Sequence, residues 1–150
     1  ASINRCKIKS SKKKYKKKIP SSKYKPLFEW PLSGSLIASF GKKDAGRSND
    51  GINIRAAKGN PVRAALKGKV IYSGNELPAW GNLILIKHEN AWTTAYAHLD
   101  KILVKVGERV NTGNIIGSVG ATGNVSKYQL HFQVRKNSKP VNPKNYLKKK

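Results

Sequence analysis

A chain of 150 residues with 31 Lys and Arg against 7 Asp and Glu carries a formal net charge of +24, so attraction to anionic partners is expected whatever the fold. The length suits one domain beside a polar arm, and a second globular unit within these residues is not expected. A single cysteine, Cys6, excludes an intramolecular disulfide, and no run approaches the roughly 20 apolar residues of a membrane-spanning helix.

The chain opens on Ala1 rather than Met and shows no signal peptide, which reads as a processed or truncated product. Residues 1–26 hold ten Lys and one Arg with no acid, a charge of +11. Within them Lys12–Lys18 is a self-repelling block with nothing to bury, so disorder is expected. It reads either as a solvated tether or as an arm for an anionic membrane or polymer, with Tyr15 and Tyr24 available for interfacial contact. Pro20 and Pro26 keep the linker extended.

Residues 27–147 change texture to short apolar or alternating runs punctuated by Gly, Asn and Ser, which is the pattern of an all-β domain. Strands are predicted at Leu36–Phe40, Gly51–Ile54, Val62–Ala65, Lys69–Ser73, Asn82–Lys87, Trp92–His98, Ile115–Val119 and Gln129–Arg135. No window carries a long helical period. The glycines between Val106 and Gly117 fit tight reversals between strands and match neither nucleotide-binding fingerprint. Residues 148–150 form a basic tail. Lys outnumbers Arg 25 to 6, a bias that codon composition alone can produce.

Three short segments stand out: Asn49-Asp50-Gly51-Ile52-Asn53, Tyr96-Ala97-His98-Leu99 and Gln129-Leu130-His131-Phe132. Their order and the Gly-punctuated strands between them resemble the lysostaphin-type peptidase domain of family M23, the LytM domain. The resemblance covers roughly Leu27 to Leu147 and implies a barrel-sandwich hybrid fold of mostly antiparallel strands. In that family His-x-Gly-x-Asp supplies two zinc ligands, a later His-Leu one catalytic histidine, and His-x-His a second catalytic histidine and the third ligand. Carried across, only His98 and His131 survive here. Asn49 and Asn53 occupy the first two ligand positions and Gln129 that of the other catalytic histidine, leaving one of three ligands and one of two proton-transfer groups.

A hydrolytic zinc site needs three imidazole or carboxylate ligands and an open position for water. Neutral amides lack the donor strength and the compensating charge, and Gln129 cannot titrate. Asp50 is a poor rescue, since alternate residues of an extended segment face opposite ways. No resident cofactor or metal is therefore expected. His98 and His131, taken singly, read as strand histidines hydrogen-bonded to neighbours, and His88 as a surface residue near Glu89. Trp92 reads as core and Trp80 as a loop cap. Jointly, Asn49, Asp50, Asn53, His98, Gln129 and His131 read as a groove converted from cutting to holding, able to hydrogen-bond peptide or sugar amides. Asn in place of the ligands can equally serve to satisfy buried backbone groups.

The resemblance extends to degenerate LytM domains of the NlpD, EnvC and DipM kind. It implies an exported, non-enzymatic factor of the Gram-negative periplasm or cell envelope that binds and activates a peptidoglycan amidase in septal wall splitting. A peptidoglycan-binding module without activator role is the alternative, and a residual zinc endopeptidase is opposed by the ligand count. Nucleic acid is disfavoured, because Trp30, Trp80 and Trp92 do not interleave with basic residues.

Overall fold

The computed structural model describes residues 25–43 and 46–150. The basic block Lys12–Lys18, with its expected disorder, lies outside them, as do Cys6 and most of the arm. Twelve strands are described: β1 (Ser35–Ala38), β2 (Gly41–Lys42), β3 (Ser48–Asn49), β4 (Ile52–Arg55), β5 (Pro61–Arg63), β6 (Gly68–Gly74), β7 (Asn82–Lys87), β8 (Trp92–Ile102), β9 (Arg109–Val110), β10 (Ile115–Val119), β11 (Gln129–Lys136) and β12 (Lys139–Val141). The helical content among the described elements is short 3-10 turns such as Glu89–Ala91 and Pro143–Asn145. The all-β expectation holds, and β7 and β10 fall on their predicted boundaries. The two-residue strands β2, β3 and β9 and the short β12 were not legible as periodic runs.

The main sheet runs β1-β4-β11-β8-β7-β6-β9, with β12 on β11 and with β10 bridging β5 and β8. All the strand ladders are antiparallel. A parallel bridge from Phe28 to Leu147 ties the entry of the domain to its exit. Residues 148–150 continue along that seam, where Lys148 pairs with Glu29 and Lys150 stands 4.7 Å over the Trp30 ring.

Strict alternation sets the layers. In β11, Leu130, Phe132 and Val134 enter the core, together with Ile84 and Ile86 of β7, Tyr96 of β8 and Ile52 and Ile54 of β4. The opposite face of β11 presents Gln129, His131 and Gln133, all buried despite their polarity. Something else must cover that face, and the cover defines the site.

β8 is the strand that joins the two halves of the fold. Up to Ala97 it pairs with β11, and from Leu99 onward with β10. The changeover falls at His98, whose φ is +66°, where two β8 residues oppose one in β7. This is a bulge with a non-glycine residue in the left-handed region, a conformation that costs about 1 kcal/mol or more and redirects the side chain.

Candidate functional site

Each of the three signature segments reaches the same corner. β4 and β11 pair so that Asn53 lies opposite His131, which in turn lies opposite Ala97 of β8. Gly51 is required between the two asparagines for a steric reason. A Cβ there would stand 2.2 Å from the Phe132 carbonyl oxygen, because the chain entering β4 runs against the backbone of β11.

The polar side chains form one directed hydrogen-bond chain. Arg135 Nη1, which can only donate, donates a hydrogen bond to Gln133 Oε1 at 2.6 Å. The Gln133 amide nitrogen therefore faces His131 Nε2 at 3.0 Å and donates to it. That fixes the ring proton of His131 on Nδ1, which donates to Asn53 Oδ1 at 3.1 Å. Asn53 Nδ2 then donates to Gln129 Oε1 at 2.7 Å, and Gln129 Nε2 ends the chain on the Lys127 carbonyl at 3.1 Å. Asn49 joins from the side, donating to Asn53 Oδ1 at 3.1 Å while its own oxygen accepts from Gly51 N at 3.2 Å. The latter is an Asx turn, a local role that asparagine performs well.

His98 stands across from this chain, its ring centroid 6.1 Å from that of His131. Its Nδ1 donates to the Thr122 carbonyl at 2.9 Å, so Nε2 keeps its lone pair. Two loops hold it in place. The His98 backbone N donates to Trp80 O, and Asn124 N donates to Ala79 O across the loops. Thr122 Oγ1 donates to Leu99 O at 2.7 Å and accepts from Asn82 N at 3.1 Å. Gly81 and Gly123, both at positive φ, let the two loops meet backbone to backbone. Trp80 lies 5.4 Å from the His131 ring and helps to cover it.

Burial pushes the His131 pKa down to about 4, with the neighbouring His98 as a further unfavourable charge. Burial lowers His98 as well, offset in part by its bond to Thr122. Both rings are neutral at pH 7. Offered to a zinc ion, the corner would present two neutral amide oxygens and an imidazole whose Nδ1, the nitrogen facing Asn53, carries a proton already bonded to it. This donor set does not fit zinc. Among the described residues no group of three or more His, Cys, Asp or Glu side chains is placed to hold a metal ion.

Five of the six residues read as a groove, Asn49, Asn53, His98, Gln129 and His131, meet at this corner. Asp50 is exposed and enters none of these hydrogen bonds. Gln133, Arg135, Trp80 and Thr122 were missed as site residues. The alternation Gln129, His131, Gln133, Arg135 carried the signal for the first two. His88, read as a surface residue, is instead 6% exposed. Its ring bonds the Lys67 carbonyl at 2.7 Å and Thr94 Oγ1 at 2.9 Å, and Thr94 continues to the buried Tyr96 hydroxyl at 2.8 Å.

Residues 47–143 match the model of peptidase family M23. The chain belongs to this family. The cell division protein DipM of Caulobacter vibrioides is 48% identical to it over 125 residues, 79% of this chain and 20% of that protein. The murein hydrolase activator NlpD of Escherichia coli is 42% identical over 120 residues, 80% of this chain and 31% of that protein. This M23 chain thus spans a minor part of each of these two relatives. The catalytic domain of the antimicrobial peptidase lysostaphin from Staphylococcus simulans superposes with a TM-score of 0.70 at 30% identity, over 75% of this chain and 91% of that one. The barrel-sandwich fold implied by the three signature segments is the fold observed.

The histidines make the stability of this M23 domain depend on pH. For His131 the folded value, about 4, lies below the ordinary 6.5, so between them the unfolded chain binds more protons. Stability is complete above about pH 6.5 and is lost as pH falls toward 4, by about 3 kcal/mol for this group. His98 and His88 act in the same direction. Urea unfolding at pH 7, 5.5 and 4 should show this decline, with a shallower one for His131→Gln. Equal slopes for parent and variant would place the linkage elsewhere.

Proposed function

We propose that this domain is a non-hydrolytic cell-envelope factor that binds and activates an N-acetylmuramoyl-L-alanine amidase during septal wall splitting. The observation that carries the reading is the chain of amides through the former ligand corner. Asn49, Asn53 and Gln129 bond one another and His131, so the groups that would bind metal and move protons are engaged in holding the groove's shape. The names of its relatives, a murein hydrolase activator and a cell division protein, point the same way. Gln129 Nε2, Asn49 Nδ2 and His98 Nε2 retain hydrogen-bonding capacity that a partner's amides can use. The partners under this reading are a cell-wall amidase and peptidoglycan, and the location is the Gram-negative periplasm.

Dye-labelled murein tests the proposal. The chain alone should release no dye, and the chain with amidase several times more than amidase alone. No increase over amidase alone would sink the activator role, and release by the chain alone would sink the non-hydrolytic one.

A further inference from the structure

The outer face of the main sheet carries a second feature, remote from the cleft. In β6, Lys69 pairs directly with Arg109 of β9 on one side and Lys87 of β7 on the other. Cross-strand partners point to the same face, so three cations stand in one row across three neighbouring strands, with side-chain bases about 5 Å apart. Directly opposed like charges are destabilising. Among the described residues the ion pair formed is Lys148 with Glu29, and none of the three cations of the row has an acid within salt-bridge distance.

The row walls a half-open cavity of about 510 Å³ lined by Lys67, Lys69, Lys87, His88 and Arg109, with Glu89 as the acid on its rim. Gly68 forms part of its floor, because a Cβ there would collide with the Lys87 carbonyl and crowd the His88 ring. His88 holds that floor through its bonds to Lys67 O and Thr94. The basic N-terminal segment joins the fold beside this cavity. Phe28 packs edge-on against His88 at 5.5 Å, and the Lys25 ammonium stands 5.5 Å from the Tyr146 ring. The described chain thus enters the fold at Phe28, against the floor of this cavity.

β7 and β8 span the distance between the two features. Lys87 lies opposite Thr93, whereas Asn82, at the other end of β7, lies opposite Leu99 beside the cleft histidine. Five strand residues put about 16 Å between the cationic row and the cleft.

We propose that this end of the domain docks on an anionic phospholipid bilayer. The phosphate headgroups are received by Arg109, Lys69, Lys87 and Lys67, and the cleft is turned away from the membrane. The row lies across a sheet, so it meets a plane of headgroups all at once. Arg109 adds the planar fork that pairs with phosphate oxygens. The attraction offsets the repulsion the row builds into the free domain.

Co-sedimentation of the full chain with phosphatidylcholine vesicles, with and without about 30% phosphatidylglycerol, tests this. Binding should require the anionic lipid. The triple variant Lys69→Gln, Lys87→Gln, Arg109→Gln should bind at least about tenfold more weakly. A control of equal charge, Lys42→Gln, Lys58→Gln, Lys101→Gln, should lose about threefold or less. The row variant should melt no lower than the parent, since repulsion has been removed. Should it fail to fold, Lys69→Gln and Arg109→Gln alone are expected to show graded losses. For orientation, a fluorophore on Glu89→Cys in a Cys6→Ser background should be quenched by a lipid-borne quencher and one on Asp50→Cys should not. Equal loss in the row and control triples, or a row variant that loses binding to isolated sacculi but not to vesicles, would overturn the proposal, as would equal quenching at the two labels.

Discussion

Introducing Asn49→His and Asn53→Asp together should raise the zinc content of the purified chain from near zero to about one ion. The backbone at the corner is already in place. Asn49 and Asn53 side chains meet at 3.1 Å, and Asn53 meets His131 Nδ1 at 3.1 Å. An imidazole and a carboxylate at these positions would add both ligand strength and negative charge, and His131 would bind through Nδ1 in its other neutral tautomer, with the proton on Nε2 and the Gln133 amide turned to accept it. Either change alone leaves two ligands of three and should give little metal. Elemental analysis of protein purified without chelator or affinity tag reads the outcome directly. A folded double variant that still lacks zinc would mean that the three positions do not converge. Zinc near one per chain in the unaltered protein would refute the reading of the amide chain and require a murein hydrolysis assay of the parent.

Gly51→Ala is expected to be severely destabilising. The added Cβ would meet the Phe132 carbonyl carbon at 3.0 Å and the Gln133 Cγ at 2.8 Å, in addition to overlapping the Phe132 oxygen. Backbone cannot rotate away as a flexible side chain can, so β4 must separate from β11. That separation would break the Asn53 and His131 pairing and loosen Ile52 and Ile54 from the core. A loss of about 3 kcal/mol or more follows, at the upper end of overpacking effects. Denaturant unfolding measures it. A variant within about 0.5 kcal/mol of the parent would show that the approach of the two strands is not obligatory.

The groove and the stability of the fold are therefore coupled through Gly51. Only a residue without a side chain lets β4 lie close enough to β11 for a four-atom amide at 53 to reach His131. The same closeness explains why the site persists as a connected amide network: it shares its strands with the core.

Much of this could be read from the order of residues. The alternation Leu130, Phe132, Val134 against Gln129, His131, Gln133 requires a strand with one face in the core, and β7 and β10 are as plain. Local preferences and period-2 patterning need no partner to be recognised. The three segments carrying Asn49, Asn53, His98, Gln129 and His131 also stood out in the order of residues, and the structure brings these side chains to one corner.

What the linear order left open depends on contacts between distant segments. The tautomer of His131 is set by a chain that starts at Arg135 and ends at the Lys127 carbonyl. His98 takes a positive φ because β8 must change partners from β11 to β10 at that residue. His88, polar and next to Glu89, looks like surface until Lys67 and Thr94 close around it. Lys69, Lys87 and Arg109 are separated in sequence, and pairing register alone brings them into a row. Residue type and spacing specify which face a strand buries, whereas register, bulges and the direction of hydrogen bonds are settled when strands far apart in the chain meet.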